Sequence, residues 1–328
     1  MPERKALLIS WLQESCGLND FSIEPASGDA SFRRYFRVFL PDGGTLVAMD
    51  APPTHEDCHP FADVTERLAA TGVHVPKVHG VDFEQGFMLL EDLGGELYLP
   101  SLNEASVDGL YRDAVSSLLK MQASADVSGL PPYDEALLSR EMALFTDWLL
   151  DKHLGLALSE QEQQAVKVAF EALVVAALEQ PKTFVHRDYH SRNLLITKEN
   201  SPGIIDYQDA VHGPVIYDLV SLLKDCYIAW PLEQVDAWAL TYLEQAKQVG
   251  LIASDVTATE FLRWFDLMGA QRHLKAAGIF ARLNHRDGKP GYLADIPRTL
   301  SYILAVAERR PELAALSKII GEKVMPRL

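Results

Sequence analysis

A chain of 328 residues with 48% hydrophobic content can bury a large core, and its length favours two domains or one domain with two lobes. Thirty Lys and Arg against 46 Asp and Glu leave a formal charge of −16; this mean field repels polyanions and argues against broad binding to nucleic acid or an anionic membrane. Cys16, Cys58 and Cys226 are far apart and outside any C-x-x-C pattern, which excludes a disulfide framework or zinc knuckle and suits reduced core thiols in a cytoplasmic protein.

The N-terminal MPERKALLISWLQES has a basic start, but Gln13 and Glu14 cut its apolar run and no small-residue cleavage site follows, so a signal peptide is not expected. No apolar run approaches the roughly 18 residues that span a bilayer. SFRRYFRVFL (31–40) and TLVAMD (45–50) are β-rich runs around the turn signal Pro41-Asp42-Gly43-Gly44 and predict a hairpin. CHPFADVTERLAAT (58–71) predicts a helix, with Phe61, Val64 and Leu68 at helical spacing and Gly72 as its stop. Two further strands are expected in VPKVHGVD (75–82) and GFMLLED (86–92), so residues 1–94 read as sheet with one helix. Beyond them, helices are expected at 104–124, 134–153, 159–178, 215–229, 232–249, 257–282 and, with breaks, 295–320. The fold class is α+β: a small antiparallel-sheet lobe over residues 1–94 and a larger helical lobe over 95–328, with a cleft expected at their junction, where small-ligand sites are common.

One stretch interrupts the helices: FVHRDYHSRNLLITKENSPGIIDYQDA (184–210). Residues 194–197 and 203–206 are short apolar strands around a turn at 198–202. If Thr197 faces Gly203, antiparallel register sets Asn193 opposite Asp206 or Tyr207, with Cα atoms roughly 4.5 to 5.5 Å apart. An amide oxygen and a carboxylate at the hairpin mouth suit Mg²⁺, which takes few protein ligands and completes its octahedron with water and phosphate oxygens. Asp188, five residues before Asn193, can accept a hydroxyl proton as a bond to phosphorus forms, or orient that hydroxyl. Any one of these residues alone is as readily a turn or cap residue. Together, the H-R-D-x-x-x-x-N spacing and the following strand-borne Asp point to phosphoryl transfer to an alcohol.

On VHRDYHSRNLL as catalytic loop, IIDYQDA in the place of the metal-binding D-F-G, and GPVIYDLVSLL as the following helix, the chain resembles the aminoglycoside phosphotransferase family, within the protein-kinase-like bilobal fold. The resemblance implies ATP and Mg²⁺ as cofactors and makes Asp218 a brace for the catalytic loop; a plain carboxylate at a helix N-terminus is the alternative. More narrowly, ASGDASFRRYFRV, LPPYDEALLSREM, FTDWLLDKHL and MGAQRHLKAAGIFARL resemble the branch of bacterial anomeric kinases acting on N-acetylmuramate and N-acetylglucosamine in cell-wall recycling. That branch implies phosphorylation of the C1 hydroxyl to the α-1-phosphate and a salvage route around the fosfomycin-sensitive step.

For the nucleotide, PASGDASFRRYF occupies the position of a phosphate-covering loop, with Ser27, Gly28, Asp29 and Ala30 at its turn, although one glycine falls short of G-x-G-x-x-G. By the resemblance, the backbone of Glu91 and Leu93 meets the adenine edge. The position of the phosphate-pairing lysine of V-A-I-K is Met49, a departure from the pattern; Arg33 or Arg34 could stand in for it, or both are solvated strand arginines. For the acceptor, residues 261–291 are locally basic, with Arg272 and Lys275 on one helical stripe suited to the carboxylate of a small-molecule amino sugar, or salt-bridged within the protein. His190 and Asp209 could reach sugar hydroxyls. Two other readings stay open: a kinase for another alcohol, such as an aminoglycoside or choline-like substrate, and a catalytically silent kinase-like binding protein. Nucleic acid and membrane are not expected as partners, and the oligomeric state is left open, a monomer sufficing.

Overall fold

The computed structural model describes residues 2–28 and 32–328. The chain forms two compact units, Met1–Ser106 with Arg192–Asp209, and Val107–Ser191 with Ala210–Leu328. The first contains all of residues 1–94 and adds 95–106 and 192–209.

The first unit is built on a five-stranded antiparallel sheet in the order β1-β2-β3-β5-β4: β1 Ser22–Gly28, β2 Arg34–Phe39, β3 Thr45–Asp50, β4 Val78–Asp82 and β5 Phe87–Glu91. Four of these strands lie where the alternation predicts them; β1 is a fifth, formed from residues expected to be loop. A helix that the sequence reading passed over, α1 Pro2–Glu14, lays Leu8, Trp11 and Leu12 on Phe36, Val38, Ala48, Phe87 and Leu89. Its attachment is also ionic. Asp50, fully buried at the end of β3, accepts from Arg4 Nε at 2.9 Å and Nη2 at 2.5 Å, and pairs with Arg34 across the β2–β3 ladder. The expected helix is α2 His59–Ala70; it buries Phe61, Val64, Thr65 and Leu68 and ends before Gly72 at φ +77°. A single turn, α3 Tyr98–Ser101, and the two-residue strands β7 Leu194–Leu195 and β8 Gly203–Ile204 complete the unit.

The second unit is helical: α4 Val107–Ser124, α5 Glu135–Leu144, a π-helix Phe145–His153, α6 Glu160–Leu178, α7 Tyr217–Leu223, α8 Leu232–Gln248, α9 Ala258–Asp287, α10 Ile296–Ala307 and α11 Ala314–Ile319. One short ladder pairs β6 Lys182–Val185 with β9 Val211–Pro214. The expected helix over 215–229 is cut short at Leu223 because the residues after it have other work: Lys224 Nζ reaches Asp266 at 2.8 Å, and the Asp225 carboxylate turns to accept from Ser191 N and Tyr227 N, each at 3.0 Å.

The spine of this unit is α9, thirty residues and about 45 Å long. It packs against the π-helix, α5, α6, α7 and α10 and is buried on nearly every side, which its apolar face alone does not explain. Its buried polar residues are partnered instead: Asp266 holds Lys224 and Arg309, and His273 meets the Lys224 carbonyl at 2.9 Å. At Gly278 the helix touches neighbouring backbone, for a Cβ there would lie 2.3 Å from the Leu144 carbonyl carbon. Among the described residues no helix is long and apolar enough to cross a membrane.

Backbone-on-backbone contact leaves Gly278 no room to relax, so Gly278→Ala should destabilise the protein by about 1–3 kcal/mol or more, read as a lower urea midpoint.

Candidate active site

The H-R-D loop leaves β6 at Val185, and each of its next six residues is held within the second unit. His186 N and Arg187 N donate to Asp218 Oδ2 and Oδ1 at 2.7 and 3.0 Å. Asp218 lies in the first turn of α7 and is fully buried; burial pushes its carboxyl up to about 7, against the pull of those two N–H bonds. With both amides captured, Arg187 takes φ +78°, in the left-handed region, and its guanidinium turns inward to pair with buried Glu141. Asp188 N meets His186 Nδ1 at 3.3 Å, Tyr189 Oη donates to the Ala114 carbonyl at 2.8 Å, His190 N donates to the Asp188 carbonyl at 3.0 Å, and Ser191 Oγ donates to Asp225 at 2.5 Å.

This scaffold decides the charge of Asp188, which is half-buried. Burial works to raise its pKa, but Lys275 first, then His190, Arg187 and His186, outweigh burial and hold it below the ordinary carboxylate range. Asp188 is therefore an anion at neutral pH. Lys275 and Arg272, expected on an acceptor-facing stripe of α9, are both buried with partners inside the unit. Lys275 Nζ donates to Tyr217 Oη at 2.9 Å and stands 3.2 Å from Glu141; Arg272 Nη1 lies 3.4 Å from Cys226 Sγ. Of the two, Lys275 faces a buried acid and Arg272 a buried thiol. His190 starts a ladder of rings that runs edge-on to Tyr227 at 5.4 Å, on to Phe280 at 6.1 Å, and to Tyr292, stacked on Phe280 at 5.7 Å.

After Ser191 the chain enters the first unit. Here the hairpin register differs from expectation: Leu195, not Thr197, faces Gly203, and Ile205 N donates to the Asn193 carbonyl at 3.1 Å, so Asn193 stands opposite Ile205. The cause is a competing partner. Ile196 N donates to the Glu96 carbonyl at 2.7 Å and leaves the ladder, which lengthens the turn by two residues on its N-terminal side, to 196–202. Asn193 Nδ2 nonetheless reaches Asp206 Oδ2 at 3.2 Å because Asp206, at φ +68°, bends the chain back; Gln208 Nε2 donates to its other oxygen at 2.9 Å. Below the mouth, Phe61 packs on Tyr207 at 5.2 Å and Thr65 Oγ1 shares a 2.9 Å hydrogen bond with Tyr207 Oη.

Asn193 and Asp206 line a cavity of about 550 Å³ within this unit. Its apolar walls include Val47, Leu90 and Leu93; Gly203 lets the hairpin approach Leu93, since a Cβ there would lie 2.9 Å from Leu93 Cδ1. Glu91 also lines it, its N–H given to the Lys77 carbonyl at 2.8 Å and its carboxylate accepting from Lys77 N at 3.1 Å. Met49 faces the same side, because it pairs across the ladder with the lining residue Tyr35, as Val47 pairs with Arg37. Arg33 Nε meets Glu56 at 3.2 Å and its guanidinium also bonds the lining residue Tyr35, whereas Arg34 meets Asp50 on the opposite face. Ser27 and Gly28 end β1, facing Tyr35 and Arg34 across the ladder, while Asp29 and Ala30 lie outside the described residues. Asp209 is exposed at the end of the hairpin.

One carboxylate and one amide on a cavity wall suit a hard divalent cation with few protein ligands; a carboxylate that accepts two hydrogen bonds still has lone pairs to give. Among the described residues there is no cluster of three or more His, Cys, Asp and Glu that would suit a softer metal.

Residues 22–265 match the model of the phosphotransferase enzyme family. The chain belongs to that family. It is 46% identical over 338 residues to the N-acetylmuramate/N-acetylglucosamine kinase of Pseudomonas putida, covering 98% of each chain. To the kinase of the same name from Pseudomonas aeruginosa it is 50% identical over 300 residues, covering 90% of this chain and 87% of the relative. A solved structure of a putative aminoglycoside phosphotransferase from Ralstonia eutropha shares the fold with a TM-score of 0.61 at 18% identity, over 91% of this chain and 95% of that one. Family and fold make the chain a phosphotransferase with a protein-kinase-like architecture.

Several residues that shape this site were given no role from sequence: Glu141, Tyr133, Arg192 and Tyr227. The H-R-D arginine offered one signal, because a guanidinium turned into the interior needs a buried acid to balance it. Removing Asp218 leaves two buried N–H groups without an acceptor, so Asp218→Ala should cost about 2–5 kcal/mol in urea denaturation, with Asp218→Asn recovering part of that loss.

Proposed function

We propose that the protein transfers the γ-phosphoryl group of ATP to the anomeric C1 hydroxyl of N-acetylmuramate and N-acetylglucosamine, giving the α-1-phosphate in cytoplasmic peptidoglycan recycling. The observation that carries this reading is end-to-end similarity, at 46% identity, to a relative named for these two acceptors. The three free cysteines suit a reducing compartment.

In this reading Asp188 takes the C1 hydroxyl proton as the new O–P bond forms. The bond between the γ-phosphorus and its bridging oxygen breaks, and ADP leaves. Asn193 and Asp206 would hold Mg²⁺, which when bound neutralises charge on the phosphates. The base chemistry favours C1 over the other sugar hydroxyls. A carboxylate held below its usual pKa is a weak base, and a hemiacetal hydroxyl is the most acidic on the ring. Arg187 and Lys275 polarise the base, and Glu141 holds both of them in place.

With Mg-ATP and a panel of N-acetylmuramate, N-acetylglucosamine, kanamycin and choline, ADP release is expected with the two amino sugars, and ³¹P NMR of the product should show an anomeric α-phosphate. Phosphate on another oxygen would refute the C1 assignment, and turnover of kanamycin alone would refute the acceptor. Asp188→Asn should lower kcat by roughly 10²- to 10⁴-fold with little change in nucleotide KM. The pH profile gives a separate check. Lys275 is the foremost of the cations that depress the Asp188 pKa, so Lys275→Met should raise that pKa and shift the acid limb of kcat/KM to higher pH, whereas Lys275→Arg should leave it near the wild-type position.

A further inference from the structure

Helix α9 carries one cation in an unusual state. Arg282 is half-buried, its Nε is buried with no hydrogen-bond partner, and among the described residues no acid forms an ion pair with it. Burial and the neighbouring Arg286 both act against its charge and hold its pKa below the ordinary guanidinium range. The carboxylate that favours the charge, Asp287, is already gripped by Arg286 in a two-pronged bond at 2.8 and 2.9 Å. A guanidinium placed in this way is short of an anion, since buried donors in a folded protein are otherwise satisfied.

Its position ties that charge to the candidate site. Arg282 follows Lys275 by seven residues, or two turns, so both side chains leave α9 on one face, about 10.5 Å apart along the axis. Lys275 is the foremost cation acting on Asp188, and Phe280, two residues before Arg282, stands in the ring ladder that begins at His190. The face thus runs from a cation sealed beside the base to one that a ligand can still reach. N-acetylmuramate differs from N-acetylglucosamine by a lactyl ether whose carboxylate is ionised at neutral pH. On a sugar whose C1 hydroxyl faces the Asp188 anion, that second anion needs a cation of its own, set apart from the base by the width of the ring and the ether.

We propose that Arg282 binds the lactyl carboxylate of N-acetylmuramate and so sets the preference between the two acceptors. This rests on the reading of both amino sugars as acceptors and deepens it by assigning a residue that tells them apart. A guanidinium suits the task, since its planar fork matches both carboxylate oxygens and it stays charged at any working pH.

The test is steady-state kinetics of the full chain with each sugar at saturating Mg-ATP. For Arg282→Ala, kcat/KM for N-acetylmuramate should fall by roughly 10- to 100-fold, mostly through KM, while the value for N-acetylglucosamine stays within about twofold. Arg282→Lys, which keeps the charge but not the fork, should recover part of the loss. Unchanged kinetics with N-acetylmuramate overturn the proposal. So does an equal loss for both sugars, which would mark a role in packing, or a wild-type protein that phosphorylates N-acetylglucosamine alone. A wild-type protein that phosphorylates neither sugar would instead overturn the acceptor reading beneath it.

Discussion

Two backbone N–H groups converging on the buried carboxylate of Asp218 fix the H-R-D loop. Capture of both amides sets Arg187 in the left-handed region, a conformation that costs roughly 1–2 kcal/mol for a residue with a side chain. The strain is offset by what the turn achieves. Arg187 points into the unit toward Glu141, Asp188 remains half-exposed at the surface of the loop, and the neighbouring cations keep it charged. Lys275, from the middle of α9, and Tyr133 close the same cluster around Glu141.

Both units use buried ion pairs to set position more than to add net stability. Desolvation cancels much of the attraction in such pairs, but a wrong arrangement would strand a charge and is excluded. In the first unit Asp50 fastens α1 to the sheet through Arg4 and holds Arg34 away from the cavity. In the second, Asp266 joins α9 to Lys224 after α7 and to Arg309 after α10. Other buried acids are held without a base, Asp218 by two backbone N–H groups and Asp225 by Ser191 and the Tyr227 N–H.

The sequence carried most of the architecture where side-chain period and turn residues agree. Strands β2 to β5, helix α2, the long helices of the second unit and the hairpin after Asn193 all lie close to where period and turns set them. What was lost depended on partners distant in the chain. Strand β1 contains Pro25, Ala26, Ser27 and Gly28, all poor strand formers, and is possible because it pairs on one side only at the sheet edge, with a bulge after Pro25. The hairpin register slipped because of the Glu96 carbonyl, a hundred residues away. At the candidate site, the residue types were legible from the H-R-D-x-x-x-x-N spacing. The balance of charge around Asp188 was not, since Glu141 and Lys275 come to it only through the packing of α5 and α9.

Helix α9 has a bearing on how such a chain can diverge. Asp266, Arg272, His273, Lys275 and Gly278 meet different neighbours along one unbroken spiral, and each meets them at a fixed angle. Inserting or deleting one residue would swing everything beyond it by about 100°, parting Lys275 from Glu141 and turning a side chain into the backbone of Leu144. Length variation in this part of the gene should therefore gather in the connections on either side of the helix, while the helix itself changes by substitution alone.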